Sequence, residues 1–253
     1  MKGAIRSSWW LLGVAVLLFT GALPALADTQ FALTSTSGSL WGVGTSPYGT
    51  NNASVGSVIC DDFKDDTYMN QNYTYHNESF STLIAQGNGI WGNNASLYEA
   101  AAYLVLQVFT EPIKLNQEYE NWAIWALFDP TDALTVMNNN GVDQNGCNAI
   151  FGSGAWNGSK CTAGSGNGGY IANAKLNGAA SYASGAFSKL VVYIPQTNQL
   201  QNWCGVAGSC ASQEFFGMVP EGGSAAAYLL LAGVFCLGAM FHSRRQSSRG
   251  YLA

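Results

Sequence analysis

The chain has 253 residues, of which 48% are hydrophobic and only 10% charged, against about 25% charged in an ordinary soluble domain. Ten Lys and Arg face fifteen Asp and Glu for a net charge of −5, and without a basic run this balance argues against nucleic acid as a partner. Two His in the whole chain argue against a His-rich metal site.

Residues 1–27 have the plan of a secretory signal peptide. Lys2 and Arg6 lead, Trp9 to Phe19 is the apolar core, and Ala25-Leu26-Ala27 is a small-x-small cleavage pattern that makes Asp28 the first mature residue. The apolar run is too short for an anchor. Residues 28–218 are then the exported body, with five Lys, no Arg and fourteen Asp and Glu. Its many Asn, Gly, Ser and Thr residues suit a domain that meets water through uncharged polar groups. The same groups suit contact with an extracellular polysaccharide.

Within the body, Phe31-Ala32-Leu33, Leu40 to Val43 and Val55 to Cys60 read as strands separated by Gly, Ser and Asn turns, and Tyr73-Thr74-Tyr75 as a further strand. The acidic run Asp61, Asp62, Asp65 and Asp66 reads as a solvated turn, because it lacks the alternation and terminal Glu of a calcium loop. Ser96 and Glu99 have capping-box spacing, and Leu97, Ala101, Leu104, Val105 and Val108 fall on one helical face behind them. Asn116 is placed to cap a second helix, with Glu118 and Glu120 in its first turn. Tyr119 to Phe128 is apolar nearly all round and reads as the buried centre. Asp129-Pro130 ends that helix and starts a short third one through Met137.

Residues 138–169 read as a long Gly/Asn-rich loop, with Asp143-Gln144-Asn145-Gly146 as a turn inside it; a loop of this length calls for a tie or a function. Tyr170 to Tyr182 reads as an Ala-rich helix and Leu190 to Ile194 as a strand. A second apolar run, Ala225 to Phe241, would span about 26 Å as a helix, the low end for crossing a membrane. His242, Arg244, Arg245 and Arg249 follow it and place the tail in the cytoplasm. The fold class expected is α+β: a β-rich N-terminal part with inserted helices, plus the signal peptide and one C-terminal transmembrane helix. The domains are 1–27, 28–218 and 219–253.

Of six Cys, Cys236 lies in the apolar C-terminal run, which leaves Cys60, Cys147, Cys161, Cys204 and Cys210 in the body. An oxidising compartment favours pairing. The closest pairings are Cys147 with Cys161 and Cys204 with Cys210, leaving Cys60 over; other connectivities stay open.

Val219-Pro220-Glu221-Gly222, one apolar helix and an Arg-rich tail together resemble the PEP-CTERM sorting signal of Gram-negative bacteria. Pro220 and Glu221 match its motif, and Gly222 replaces the usual second Pro. The resemblance covers residues 219–249. It implies processing by an exosortase, a membrane cysteine transpeptidase, with transient anchoring in the inner membrane through the C-terminal helix before release to the cell surface or extracellular space.

Cys60 at a strand end, followed downstream by Asn121-Trp122-Ala123-Ile124-Trp125, resembles the thioester domains of bacterial surface proteins over roughly residues 55–130. There a Cys is joined to the Gln of a helical Gln-x-Ala-Ile-Trp motif. A thiolate attacks a nearby carboxamide, ammonia leaves, and the acyl group can later pass to an amine. Here the acceptor position holds Asn121, one methylene shorter than Gln, so its carbonyl stops short of a sulfur placed for Gln. Gln107 and Gln117 lie near the helices and could substitute as the acyl group, though neither is in the motif.

His76 is the only His of the body, and no Gly-x-Ser-x-Gly elbow occurs, so a serine triad lacks support. The expectation is a secreted, non-catalytic binding or structural module that needs no cofactor and no metal. The alternatives are a covalent adhesin using a Cys60 thioester and a secreted carbohydrate-active hydrolase built on a carboxylate pair.

Overall fold

A computed structural model describes residues 28–61, 69–164, 168–196, 213–219 and 233–235. The chain divides into two units, residues 1–218 and 219–253. In the second, only Val219 and a helical turn at Gly233–Phe235 are described. The signal segment with Ala25 and Ala27, the residues Pro220, Glu221 and Gly222, and the proposed Cys204–Cys210 bridge lie outside the described residues. Among those described, no helix is long and apolar enough to cross a membrane.

Seven antiparallel strands form one sheet: β1 (Thr29–Phe31), β2 (Leu33–Leu40), β3 (Val43–Thr50), β4 (Ser57–Cys60), β5 (Tyr73–Ser79), β6 (Leu190–Pro195) and β7 (Phe215–Met218). Their order is β1-β5-β6-β7-β4-β3-β2. The two edges, β1 and β2, are separated in sequence by Ala32 alone. One residue spans only about 3.5 Å of chain, so the sheet must curl until its edges approach, giving a half-barrel. Asn51 fixes that corner: its Oδ1 accepts from Ala32 N–H at 2.8 Å, and its own N–H donates to Ala32 C=O at 3.0 Å.

The period-2 alternation of the strands gives this sheet two apolar faces. Phe31, Tyr48, Val58, Cys60, Tyr73, Tyr75, Val191, Tyr193 and Phe215 fill the concave interior. Phe31 stacks on Tyr75 at 4.3 Å, and Phe215 meets both rings edge-on. Their alternate neighbours Ile59, Leu190, Val192 and Phe216 face the helices. The expected strand Leu40 to Val43 is instead a hairpin turn, with Leu40 paired to Val43 and both Trp41 (φ 51°) and Gly42 (φ 78°) at positive φ, as a two-residue hairpin requires.

Between β5 and β6 come six helices: α1 (Phe80–Gln86), α2 (Ala95–Thr110), α3 (Lys114–Phe128), α4 (Pro130–Asn139), α5 (Gln144–Phe151) and α6 (Tyr170–Ala183). In α2, Ala101, Leu104, Val105 and Val108 are buried as the periodicity predicts, while Leu97 is half-buried. The capping box does not form, because the helix starts at Ala95; Ser96 lies inside the first turn and its hydroxyl donates to Asn94 Oδ1 at 3.4 Å. Asn116 is likewise no cap: α3 begins at Lys114, behind Ile113. Every residue from Glu120 to Leu127 is buried, so α3 is the central helix.

Asp129 caps α4 by accepting from Asp132 N–H at 3.1 Å, with Pro130 in the first turn. The stretch 138–169 is not one long loop. Asp143 accepts from Gly146 N–H at 2.8 Å and starts α5, so Asp143-Gln144-Asn145-Gly146 is a helix start rather than a turn. Gly146 is required there, since a Cβ would lie 2.6 Å from the Trp41 ring. The Cys147–Cys161 disulfide is formed and ties α5 to a short bridge between Trp156 and Cys161. Gly178 lets α6 press on α2, because a Cβ would stand 2.8 Å from the backbone of Glu99 and Ala100.

Candidate functional site

The motif residues Cys60 and Asn121, 61 positions apart, meet where α3 lies against the end of β4. Both are fully buried. Asn121 sits on the sheet-facing side of a helix whose aromatic side chains lock its position. Trp122 packs edge-on against Trp125 at 5.0 Å and against Trp41 of the hairpin tip at 5.2 Å, and Trp41 also stacks on Tyr119.

The Asn121 carboxamide is engaged at both ends. Its Oδ1 accepts from Ser46 N–H at 2.7 Å, and its Nδ2 donates to Cys60 C=O at 3.4 Å. The Trp125 indole N–H donates to the same carbonyl at 3.1 Å, and Cys60 N–H donates to Ser46 Oγ at 3.2 Å. Three side chains, those of Ser46, Asn121 and Trp125, thus close one polar knot around the Cys60 backbone, linking β3, β4 and α3 within apolar surroundings. Trp125 therefore has a bonding role beyond the packing expected of the motif.

Cys60 itself belongs to the aromatic interior of the half-barrel, outside the disulfide. Tyr48 lies close by; burial, and next the neighbouring Cys60, push its hydroxyl well above the ordinary tyrosine range, so it stays protonated. Its O–H donates to Gly44 C=O at 2.6 Å. Gln117 serves elsewhere: its amide donates to Val108 C=O at 3.1 Å and Glu111 C=O at 2.7 Å, closing the corner between α2 and α3. The Gln107 amide oxygen is buried.

Directly beyond Cys60, Asp61 is fully buried, which corrects the reading of this position as part of a solvated acidic turn; Asp62, Asp65 and Asp66 lie outside the described residues. Its N–H donates to Glu214 C=O at 3.4 Å, extending the β4–β7 ladder by one rung beside the equally buried Glu214. Sequence reasoning missed Glu214. Its only signal was an acid placed directly before the apolar run Phe215-Phe216.

His76 bridges two acids, with Nδ1 3.0 Å from Asp28 Oδ1 and Nε2 3.3 Å from Glu78 Oε1. Asp28, the expected first mature residue, is also held by the Gln196 amide at 2.5 Å. A cavity of about 320 Å³ is lined by Ser79, Phe80, Ser81, Tyr182, Gly185, Phe187 and Ser188, none of them a residue the motifs singled out. Among the described residues, no group of three or more His, Cys, Asp or Glu side chains is arranged to hold a metal ion. No family model matches the chain, and no curated protein or solved structure matches it.

Proposed function

We propose that this is an exosortase-sorted exported protein of the cell surface or extracellular matrix, whose body is a non-catalytic binding or structural module. It enters the export route through residues 1–27, is anchored transiently by the C-terminal helix, and is released near Pro220-Glu221. Its low-charge, amide- and hydroxyl-rich surface suits an extracellular polysaccharide and not nucleic acid. In this reading Cys60 and Asn121 are parts of a clamp. The observation that carries it is the two-sided engagement of the Asn121 carboxamide by Ser46 N–H and Cys60 C=O, which gives that buried amide a structural use.

The same contacts give the covalent reading a specific footing. A backbone N–H on Asn121 Oδ1 polarises the carboxamide in the sense that nucleophilic attack needs, and the Cys60 backbone carbonyl lies beside its Nδ2. In that reaction the Cys60 sulfur would form a bond to Asn121 Cγ, the Cγ–Nδ2 bond would break, and the nitrogen would leave as ammonia. The deciding experiment is intact-mass spectrometry of the mature protein before and after methylamine, with Cys60→Ala and Asn121→Gln alongside. The clamp predicts no ammonia loss and no adduct in wild type. A wild-type adduct that disappears in Cys60→Ala establishes the adhesin instead. The same spectra report both processed ends, and a full-length C-terminus on material from the outer surface would remove the sorting proposal.

A further inference from the structure

Cleavage after Ala27 would leave Asp28 with a free α-amine, and the fold sets that residue beside the one His of the body. β1 starts at Thr29, paired with Tyr75, so Asp28 stands one position further along the same antiparallel ladder, opposite His76. The His76 imidazole lies between two acids, with Nδ1 3.0 Å from Asp28 Oδ1 and Nε2 3.3 Å from Glu78 Oε1. A neutral imidazole has one N–H, so it can donate to only one of them. The Glu78 side chain is 4% exposed and is fixed by the Asn88 amide. A hydrogen bond is electrostatically stronger at that buried acid than at the half-exposed Asp28. With the proton on Nε2, the Nδ1 lone pair faces a carboxylate oxygen, and a cation satisfies both. This is the arrangement of a metal-binding His, whose second nitrogen donates to a carboxylate that fixes the tautomer and the ring orientation. The Gln196 amide holds Asp28 Oδ2 at 2.5 Å and so leaves Oδ1 toward the ring.

We propose that the mature N-terminus is a copper(II) site, formed by the Asp28 α-amine, Asp28 Oδ1 and His76 Nδ1. The inference rests on the export reading, because removal of residues 1–27 is what frees that amine. The amine and the β-carboxylate belong to one residue and can close a chelate ring on a metal by covalent geometry alone. His76 Nδ1, at 3.0 Å from that carboxylate oxygen, is near enough to join the same coordination sphere. Two nitrogens and one oxygen suit the tetragonal geometry of copper(II), which also binds such donors most tightly among the divalent first-row metals. One His suffices because the amine takes the place of a second imidazole. On binding, the ammonium gives up a proton to solvent, the imidazole keeps its single proton on Nε2, and no electron is transferred. The His76 and Asp28 side chains are 51% and 49% exposed, so the ion arrives from solvent without opening the fold.

The test is titration of copper(II) into the mature protein, followed by electron paramagnetic resonance and by competition with glycine. Mass spectrometry first reads the N-terminus. Protein that begins at another residue counts against the processing reading alone, and the site is then decided on protein made to begin at Asp28. We expect a single equivalent to bind, with nitrogen hyperfine structure from imidazole and amine. His76→Gln and selective acylation of the N-terminal amine should each weaken binding by about tenfold or more, an effect that even the loss of an outer-shell partner commonly has. His76 is half-exposed, so His76→Gln leaves the fold in place, which circular dichroism checks. Protein beginning at Asp28 that takes no copper(II) from glycine, or whose binding is unchanged by either alteration, overturns the site.

Discussion

Asn121 shows how a side chain one methylene shorter than Gln can tie a helix to two strands at once. Its carboxamide reaches a backbone donor on β3 and a backbone acceptor on β4 together, from a helix that has no covalent link to either. Trp125, one helical turn on, shares the acceptor. Losing one donor to a buried carbonyl that keeps a second, longer one should be mild. We therefore expect Trp125→Phe to cost about 1–2 kcal/mol. Asn121→Leu should cost more, about 2–4 kcal/mol, because it strips Ser46 N–H as well and leaves a buried backbone donor without its acceptor. Urea denaturation measures both. Equal costs would mean that the bond to Ser46 contributes nothing, and a near-neutral Asn121→Leu would remove the clamp altogether.

At the scale of elements, the segment around α5 depends on two local devices, a cap and a cross-link. Asp143→Ala should lower stability by about 1 kcal/mol, the usual value of an N-cap. Reducing the Cys147–Cys161 bridge, whose ends are 14 positions apart, should remove about 3 kcal/mol by loop-entropy reasoning. Hydrogen exchange on the reduced protein should rise across α5 and the Trp156–Cys161 bridge more than in α3, which is held by packing on all sides. Uniform loosening would show that the bridge supports the whole helical layer.

The same segment shows what was legible from sequence. Gly and Asn composition made 138–169 look like a loop, yet Asp143 as a cap and Cys147, Ile150 and Phe151 at helical spacing were there to be read. α4 and α6 were found because a Pro-led start and an Ala-rich run are local signals. α1 and β7 were missed for want of length: seven and four residues hold too few periods to register, and β7 exists only because β4 and β6 flank it. In the site, Cys60 and Asn121 were linked through a motif. Ser46 and Glu214 were invisible because the topology, not any spacing, brings them there.

The whole molecule carries a pH dependence set by acids it has buried. Glu120 is 2% exposed in the middle of α3, one of its oxygens finds no hydrogen-bond partner among the described residues, and burial, then Glu111, push its pKa up to about 8. It is therefore protonated when folded and ionised when unfolded at any pH between about 4.5 and 8. Its contribution is fully present below about 4.5 and is lost as the pH climbs through that window, at a slope of up to ~1.4 kcal/mol per pH unit for one proton. Glu214, also raised, acts in the same direction. The body should then be more stable at pH 5 than at pH 8.5, the reverse of a protein held by ionised salt-bridged carboxylates. A net charge of −5 for the chain offers a second explanation, general repulsion. Salt separates the two, because repulsion between surface charges is screened and the cost of burying a carboxylate is screened much less. We expect denaturant midpoints to fall from pH 5 to 8.5 with a slope that survives 0.5 M sodium chloride and is reduced in Glu120→Gln. A slope that vanishes in salt, or is unchanged in Glu120→Gln, would assign the effect to the surface instead.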